Sequence, residues 1–492
     1  MSRGLFASLL ACDDDASLQA IAAYPTLRHA RASNGATPLL VAAGVGSLRV
    51  VEALLAAGAT LGEVDEAGAT AVHVAAGAGR DDVLQSLTSS ADFHRRGAAA
   101  VLEARTAEGE TPLMHAARSG FHLAISTLVR LGADVHAVSD VTGLDALALA
   151  ALSGWAPAVQ ELLAAGASPS RATREGVLPV MFACQGGSVP TVKALLEAGV
   201  GGGFYAERSP AGRKGRVSRA LSGVGSSSGS AGSRPRPASL DSGEGEATPS
   251  SSPGRGDGSG PGGAGAPAPP GSPGGGSSVG GSSVGATAGN EGEGPGGGGA
   301  GLLSAADMLS WRDKRGLTAL LHACSSGHLE VARYLADERG ADPLARDAGG
   351  RSAVHLAAQV GDVPLLLWAL RAGGDEAARL EERTEKGSTP LGCAVQGERR
   401  EAVEQLLGRG ARLEARDAKG RTVLGRAAAR GQTAMCRMLV SRGSDLTATD
   451  AEGRVPRQLA AKNGFMATAE ALSSLARHAY MTKPLPIVLE GR

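Results

Sequence analysis

The sequence predicts an all-α solenoid of stacked helix–turn–helix repeats, interrupted by one long disordered insertion. Three observations support this fold class: a glycine-anchored pattern returns at a nearly constant interval, aromatic residues make up only 3% of the chain, and one internal stretch consists mostly of Gly, Ser, Pro and Ala. A fixed period, such as that from Gly35 to Gly68 and from Gly420 to Gly453, is typical of repeat proteins, in which each unit buries its apolar face against its neighbours. A core poor in aromatic residues fits small helices packed closely through Ala, Leu and Val.

Ten glycines, here called the register glycines, set the phase of the repeat: Gly35, Gly68, Gly109, Gly143, Gly176, Gly316, Gly350, Gly387, Gly420 and Gly453. Ala stands seven residues after all ten, and a second Gly stands eleven residues after nine of them. Thr or Ser follows two residues after seven of them, and Asp145 takes the same place in an eighth. Each repeat is therefore predicted to hold two helices. A hydroxyl or carboxylate caps the first helix, and the second Gly ends it in a left-handed conformation.

A tight turn is predicted before the first helix of each repeat. Asp lies three residues before six of the register glycines, as Asp65, Asp140, Asp313, Asp347, Asp417 and Asp450. An Asp-x-x-Gly sequence matches a type I turn, in which the Asp side chain bonds to the turn backbone and Gly closes the turn.

These motifs resemble the ankyrin repeat. Gly109-Glu-Thr-Pro-Leu-Met-His-Ala-Ala, followed by Gly120 and Leu131-Gly-Ala-Asp, carries the resemblance, as does Gly316-Leu-Thr-Ala-Leu-Leu-His-Ala-Cys. The resemblance covers about residues 5–200 and 305–475. It implies an ankyrin-repeat solenoid with protruding turns, called fingers, that binds other proteins through the fingers and the inner helical face.

Spacing divides the chain into five predicted segments. They are capping helices or a degenerate repeat at 1–34, about five repeats at 35–200, a disordered insertion at 201–304, about five repeats ending in a cap at 305–475, and a tail at 476–492. The insertion is too poor in apolar residues to offset its ordering entropy. Closing a long loop costs little more than closing a short one, so we expect the two repeat blocks to stack as one array.

Two shorter insertions precede Gly109 and Gly387. Like the long one, each lies between the second helix of a repeat and the next finger. All three are therefore expected on one face, and insertions on one face often mark the binding face.

The fingers carry variable residues that the resemblance makes candidates for partner binding: Glu63, Arg105, His136, Arg174, Lys314, Arg346, Glu385, Arg416, Lys419 and Glu452. An ordinary charged surface is the simpler interpretation of any single one. In the long insertion, Ser222 and Ser239 each follow an Arg by three residues, which resembles a basophilic kinase site. A phosphate there would reverse the local charge of a basic segment; a solvated linker is the alternative.

His73, His115, His322 and His355 are assigned to one repeat position. Repeated histidines could suggest a row of metal ligands, but the resemblance implies structural hydrogen bonds between neighbouring turns. Cys184, Cys324 and Cys393 are interpreted as small buried side chains. The five cysteines lie far apart and form neither a disulfide framework nor a CxxC pattern, which fits a reducing compartment.

The predicted function is a non-catalytic protein-interaction scaffold in the cytoplasm or nucleus, with no cofactor, small-molecule substrate or membrane association. No catalytic motif occurs in the sequence. Lys/Arg and Asp/Glu are equal at 49 each, so there is no global field for nucleic acid, and only the insertion offers a basic stretch. The alternative is a regulatory or targeting subunit of a phosphatase, kinase or ubiquitin ligase.

Overall fold

The computed structural model describes residues 2–200 and 303–481. Within these ranges the chain is helical and has no β-strand; one isolated bridge joins Val138 and Asp145. Helices α1 (Ser2–Leu10) and α2 (Asp14–Ala23) and a 3₁₀ turn precede the first register glycine. The described helices confirm the predicted all-α class.

Each of the ten register glycines is followed by a pair of helices. The first helices are α3 Pro38–Val45, α5 Ala71–Gly77, α9 Pro112–Ser119, α11 Ala146–Leu152, α13 Pro179–Gly186, α16 Ala319–Ser326, α18 Ala353–Val360, α21 Pro390–Gln396, α23 Val423–Ala428 and α25 Pro456–Lys462. The second helices are α4 Leu48–Ala56, α6 Asp81–Ser89, α10 His122–Arg130, α12 Ala156–Ala164, α14 Val189–Val200, α17 Leu329–Arg333, α19 Val363–Arg371, α22 Arg400–Gly408, α24 Thr433–Ser441 and α26 Met466–Met481.

The predicted caps begin the first helices. A side-chain oxygen accepts a hydrogen bond from a first-turn backbone N–H at Thr70, Thr111, Asp145, Thr318, Thr389 and Thr422. Pro38, Pro112 and Pro390 occupy the first helical position, where a missing N–H leaves no bond unmade. Thr37 departs from the pattern, because its hydroxyl makes no capping bond.

All ten alanines that follow the register glycines by seven residues are fully buried. They belong to one apolar core that runs from Leu5 to Leu472 through both repeat blocks. A larger side chain at these positions would push neighbouring layers apart, which explains why only Ala occurs there.

The two repeat blocks pack directly on one another, with α13 against α16. The backbone N–H of Lys314 donates to the carbonyl of Glu175 at 3.0 Å, and the Trp311 indole N–H donates to the carbonyl of Gly176 at 2.8 Å. These contacts join the fifth and sixth repeats as neighbours.

The insertions return to the array through four extra helices: α7 Ala91–Arg96, α8 Ala98–Leu102, α15 Ala305–Ser310 and α20 Glu376–Leu380. The Asp92 carboxylate of α7 accepts from the backbone N–H of Leu61 at 2.8 Å. Arg379 of α20 donates to the carbonyl of Pro343 at 3.4 Å. The N–H of Leu303, just before α15, donates to the Ser170 hydroxyl at 2.9 Å.

The three loops contacted in this way are equivalent. Each contacted residue lies shortly after the second helix of its repeat, as Leu61, Pro343 and Ser170 show. In each case the repeat that carries the insertion is the next one along the chain. The ordered parts of the insertions therefore brace the array at equivalent loops.

The repeats that begin at Gly109 and Gly316 each contain one extra residue and absorb it differently. In the first of them it enlarges the finger turn that follows, so the Ser139 hydroxyl accepts the turn N–H bonds. The prediction of Asp140 as the turn residue was therefore wrong; its side chain is exposed and lies 3.4 Å from Arg105. In the second, the extra residue forms a π-helical turn at Tyr334–Glu338.

In nine of the ten repeats a second glycine ends the first helix with a positive φ, as predicted. In the eighth repeat the order is changed. Glu398 adopts the left-handed conformation, with φ at 58°. Its neighbour Gly397 instead has φ at −82°, and a Cβ on Gly397 would lie 2.4 Å from the carbonyl oxygen of Gln359. Close packing therefore keeps glycine at 397 and leaves a side chain in the strained position.

Replacing Glu398 with Gly is expected to stabilise the eighth repeat. A non-glycine residue in the left-handed region costs about 1 kcal/mol, and Gly removes that cost. Chemical denaturation should show a rise in the free energy of unfolding of about this size for Glu398→Gly. Glu398→Ala is the control and should show no such rise, because Ala keeps the Cβ. An equal gain in both variants would contradict the explanation.

Candidate interaction surface

The finger turns form a continuous edge along the array. Within the sixth finger, the Asp313 carboxylate accepts hydrogen bonds from the backbone N–H groups of Arg315 and Leu317, at 2.9 and 2.8 Å. Asp65, Asp347, Asp417 and Asp450 make the same pair of bonds, as the Asp-x-x-Gly motif predicts.

Neighbouring fingers are joined by backbone hydrogen bonds. In seven of the nine neighbouring pairs, the donor is the backbone N–H of the residue two places before a register glycine. The acceptor is the carbonyl of the residue just before the register glycine of the previous repeat. The register glycines allow this approach. A Cβ on Gly316 would lie 2.6 Å from the backbone nitrogen of Ala348, and one on Gly387 would lie 2.7 Å from that of Ala418. Glycine is required there by contact as well as by its positive φ.

Arginine side chains join the fingers a second time. Arg31, Arg105, Arg312, Arg346, Arg383 and Arg416 each lie four residues before a register glycine. Each donates to the carbonyl of its own register glycine and to a carbonyl of the next finger. Arg312, Arg346, Arg383 and Arg416 follow one another without a gap, and we call these four the arginine ladder.

The arginine bonds change the interpretation of three candidate residues. Arg105, Arg346 and Arg416 were proposed as partner-binding residues, but their guanidinium groups are bound to finger carbonyls. These bonds hold the finger edge together. The signal was present in the sequence as an Arg at a constant distance from the register glycine, and the sequence analysis missed it.

The seven remaining candidates fall into two groups. In the first group, three side chains have a hydrogen-bonding or ionic partner within the protein. Glu63 bonds to His29 at 2.7 Å, Lys314 lies 3.8 Å from Glu175, and Glu452 pairs with Arg454 and Lys462.

Arg174, Glu385, Lys419 and His136 form the second group. They are exposed, and their side chains make no hydrogen bond or ion pair with the described residues. The structure therefore leaves these four available to a partner. Ser222 and Ser239 lie outside the described residues.

Charge is distributed unevenly along the finger edge. The residue just before the register glycine is acidic at Glu108 and Glu175 in the first block. It is basic at Arg315, Lys386 and Lys419 in the second block, where Glu452 is the acidic exception, and all six are exposed. Residues 1–200 carry 13 Lys/Arg against 19 Asp/Glu, whereas residues 303–481 carry 26 against 22. The neutral total thus conceals an acidic first block and a basic second block.

The histidines do not share one position, and that assignment was wrong. His73 and His355 lie five residues after their register glycines, whereas His115 and His322 lie six residues after theirs. One residue rotates a helical side chain by about 100°, so the two pairs face different neighbours.

Only His73 and His355 link their own cap to the next repeat. The His73 ring contacts the Thr70 hydroxyl at 2.8 Å and the carbonyl of Glu110 at 3.1 Å. The His355 ring makes the matching contacts with Ser352 and with the carbonyl of Ser388. His322 instead contacts Asp313 within its own repeat and Gln185 of the repeat before it.

The predicted buried cysteines are buried. Burial raises the pKa of the Cys324 thiol to about 12 and also raises the pKa of the Cys184 and Cys393 thiols. A thiol with a raised pKa is a poor nucleophile. Among residues 2–200 and 303–481, no three His, Cys, Asp or Glu side chains are grouped as metal ligands would be. No described helix is long and apolar enough to span a bilayer.

The chain belongs to the ankyrin-repeat family. The family model "Ankyrin repeats (3 copies)" matches it in overlapping segments: 5–97, 39–139, 96–173, 113–204, 301–378 and 354–450. These segments cover the first repeat block and the second block as far as residue 450, so the class of the protein is that of an ankyrin-repeat interaction scaffold.

Individual relatives are similar over limited stretches. The mouse ankyrin repeat domain-containing protein 63 is 35% identical over 107 residues, which are 22% of this chain and 27% of the relative. The mouse B-cell lymphoma 3 protein homolog is 32% identical over 168 residues, 34% of this chain and 37% of the relative. The mouse protein fem-1 homolog A-like is 38% identical over 95 residues, 19% of this chain and 14% of the relative. The alignments span well under half of each relative.

The buried His73 should make stability depend on pH. Burial, with a smaller effect of nearby His115, lowers the pKa of His73 to about 3, against about 6.5 for an unfolded His. Between these values the unfolded chain binds a proton that the folded chain does not, so the free energy of unfolding falls as the pH drops below 6.5. For His73 alone the loss from pH 7 to pH 5 is about 2 kcal/mol.

Urea denaturation at pH 7 and pH 5 tests this expectation. Between pH 7 and pH 5, the free energy of unfolding should fall by about 2 kcal/mol less for His73→Asn than for the wild type. His122→Asn, at an exposed position, serves as the control. If the pH dependence of His73→Asn matches that of the wild type, His73 is not the group responsible.

Proposed function

We propose that this protein is a non-catalytic scaffold that binds protein partners along its finger edge, and that its two blocks select partners of opposite charge. The observation that carries the proposal is the double connection of the fingers by backbone bonds and arginine side chains. An edge fixed in this way presents its exposed side chains with little loss of conformational entropy on binding.

The charge of the edge supports a specific kind of partner. Arg315, Lys386 and Lys419 are exposed at equivalent positions of the second block, so an acidic partner segment would meet three cations before the acidic Glu452 of the last repeat. Glu108 and Glu175 would repel the same segment from the first block. Opposite charges of this kind contribute mostly to specificity and to the rate of association.

The long insertion is proposed to regulate binding. Phosphorylation at Ser222 or Ser239 would add negative charge between an acidic and a basic block. A phosphopeptide map of the protein from cells should contain at least one of these two serines. A map that covers the insertion and contains neither would remove this part of the proposal.

We also propose that the protein is located in the cytoplasm or nucleus. The support for this location is the cysteine pattern: the five thiols are free, and four of them are buried. A role as the targeting subunit of an enzyme complex is the alternative, in which the finger edge would hold the enzyme or its substrate.

Charge reversal on the second block tests the proposed edge. We expect the double variant Lys386→Glu and Lys419→Glu to lose most of the acidic partners that the wild type captures from lysate, as measured by quantitative mass spectrometry. Neither side chain has a hydrogen bond or ion pair with the described residues, so folding should be preserved.

The control is a double variant on the same edge of the first block, Glu66→Lys with Glu108→Lys, which should keep those partners. Equal retention by both double variants would contradict binding at the second block. A full chain lacking residues 201–302 separates the contribution of the insertion from that of the edge.

A further inference from the structure

A groove separates the second helices α17 and α19, and none of its lining residues belongs to a finger turn. Its floor is formed by half-buried apolar side chains, and it contains Leu329, Val363, Leu367 and Trp368. Leu329, Leu367 and Trp368 also pack against the continuous core from outside. The groove is therefore an open apolar surface on a rigid base.

Leu367 is unusual for its place in the repeat. It lies seventeen residues after its register glycine, and this position is polar or charged in the other nine repeats: Glu52, Gln85, Ser126, Gln160, Lys193, Arg333, Glu404, Arg437 and Glu470. The position faces solvent in most of them. The fold therefore accepts a polar or charged side chain at this position. Leu367 and the adjacent Trp368 thus give this one groove an apolar surface that the fold itself does not require.

Two cations flank this apolar surface. Arg333 and Arg371 line the groove and are exposed, and their side chains make no hydrogen bond or ion pair with any residue that the structure describes. Asp337 is the acidic side chain that lines the groove. The surroundings of the apolar floor therefore carry a net positive charge, and both guanidinium groups are available to carboxylates.

The π-helical turn lies directly beside the groove. It follows α17 at Tyr334–Glu338 and is held by Arg339, whose guanidinium lies 5.2 Å from the centre of the Tyr334 ring and donates to the Tyr334 hydroxyl at 2.7 Å. Arg339 also lies 3.6 Å from Glu197 of the repeat before the long insertion. Single π-helical turns occur frequently at functional sites.

We propose that the α17–α19 groove is a second docking site, and that it binds a short acidic segment of a partner protein. A bulky apolar side chain of the segment packs on Leu367 and Trp368, and flanking carboxylates pair with Arg333 and Arg371. This is the arrangement by which amphipathic helices bind in apolar grooves. The site shares no residue with the finger edge, so it does not depend on binding there.

Selection of peptides on the full-length protein tests this site. A random phage-display library of short peptides is selected on the wild type and counter-selected on Leu367→Glu, and the recovered peptides are synthesised for fluorescence anisotropy. We expect bulky apolar residues flanked by Asp or Glu. Leu367→Glu and, independently, Arg333→Glu should each weaken binding roughly tenfold or more, because each removes a central contact of the site.

The chain offers a matched control. Arg437 occupies the same place in the ninth repeat as Leu367 does in the seventh, and Arg437→Glu should change affinity less than about twofold. Both test variants introduce the residue found at this place in three other repeats, Glu52, Glu404 and Glu470, so folding should be retained; thermal unfolding checks this.

Four outcomes would overturn the proposal. Peptides without an acidic and apolar pattern, or peptides that bind Arg437→Glu as weakly as Arg333→Glu, would show that the groove has no such selectivity. Self-association of the wild type that Leu367→Glu abolishes, measured by sedimentation, would make the occupant a second copy. A gain in peptide affinity when residues 482–492 are deleted would make the occupant the chain's own segment.

Discussion

The rest of the structure depends on how closely one finger approaches the next. The backbone N–H of one finger reaches the carbonyl of the previous finger only because the register glycine between them has no Cβ, and a Cβ there would lie within 3 Å of backbone in several repeats. This contact sets the spacing of successive repeats at one edge. The fully buried alanine of each first helix sets it in the interior. Both constraints act at once, so small residues are needed at both positions.

The same spacing explains why the long insertion does not interrupt the array. The fifth and sixth repeats make the backbone bond between Lys314 and Glu175 that other neighbouring fingers make, although the whole insertion separates the two positions along the chain. The ordered ends of the insertions bond to equivalent loops of the preceding repeat, as Asp92 does to Leu61. Insertions are tolerated where the returning chain can restore the contact between repeats.

Interaction surfaces arise where this scaffold leaves freedom of sequence. Arginines of the ladder are committed to carbonyls, and the exposed residues just before the register glycines are not. Lys386 and Lys419 can therefore vary in charge without disturbing the fold. Leu367 is another such position, on the second helices, and there the departure from a polar residue is the informative feature. In a repeat protein each position can be compared with the same position of the other repeats. An exceptional residue can therefore be recognised without the sequence of a related protein.

The sequence by itself determined the fold class, the helix caps, the buried alanines and cysteines, and the left-handed glycines, because each depends on contacts within one repeat or between identical positions of two repeats. Only the tertiary structure decided which partner a polar side chain contacts. Ser139 replaced Asp140 because an extra residue entered the finger. The contacts of His322 with Asp313 and Gln185 were likewise decided by the fold, although the one-residue offset between His322 and His355 is readable in the sequence. The tertiary structure also decided that Arg105, Arg346 and Arg416 bind finger carbonyls, since only the approach of the next finger brings those acceptors within reach.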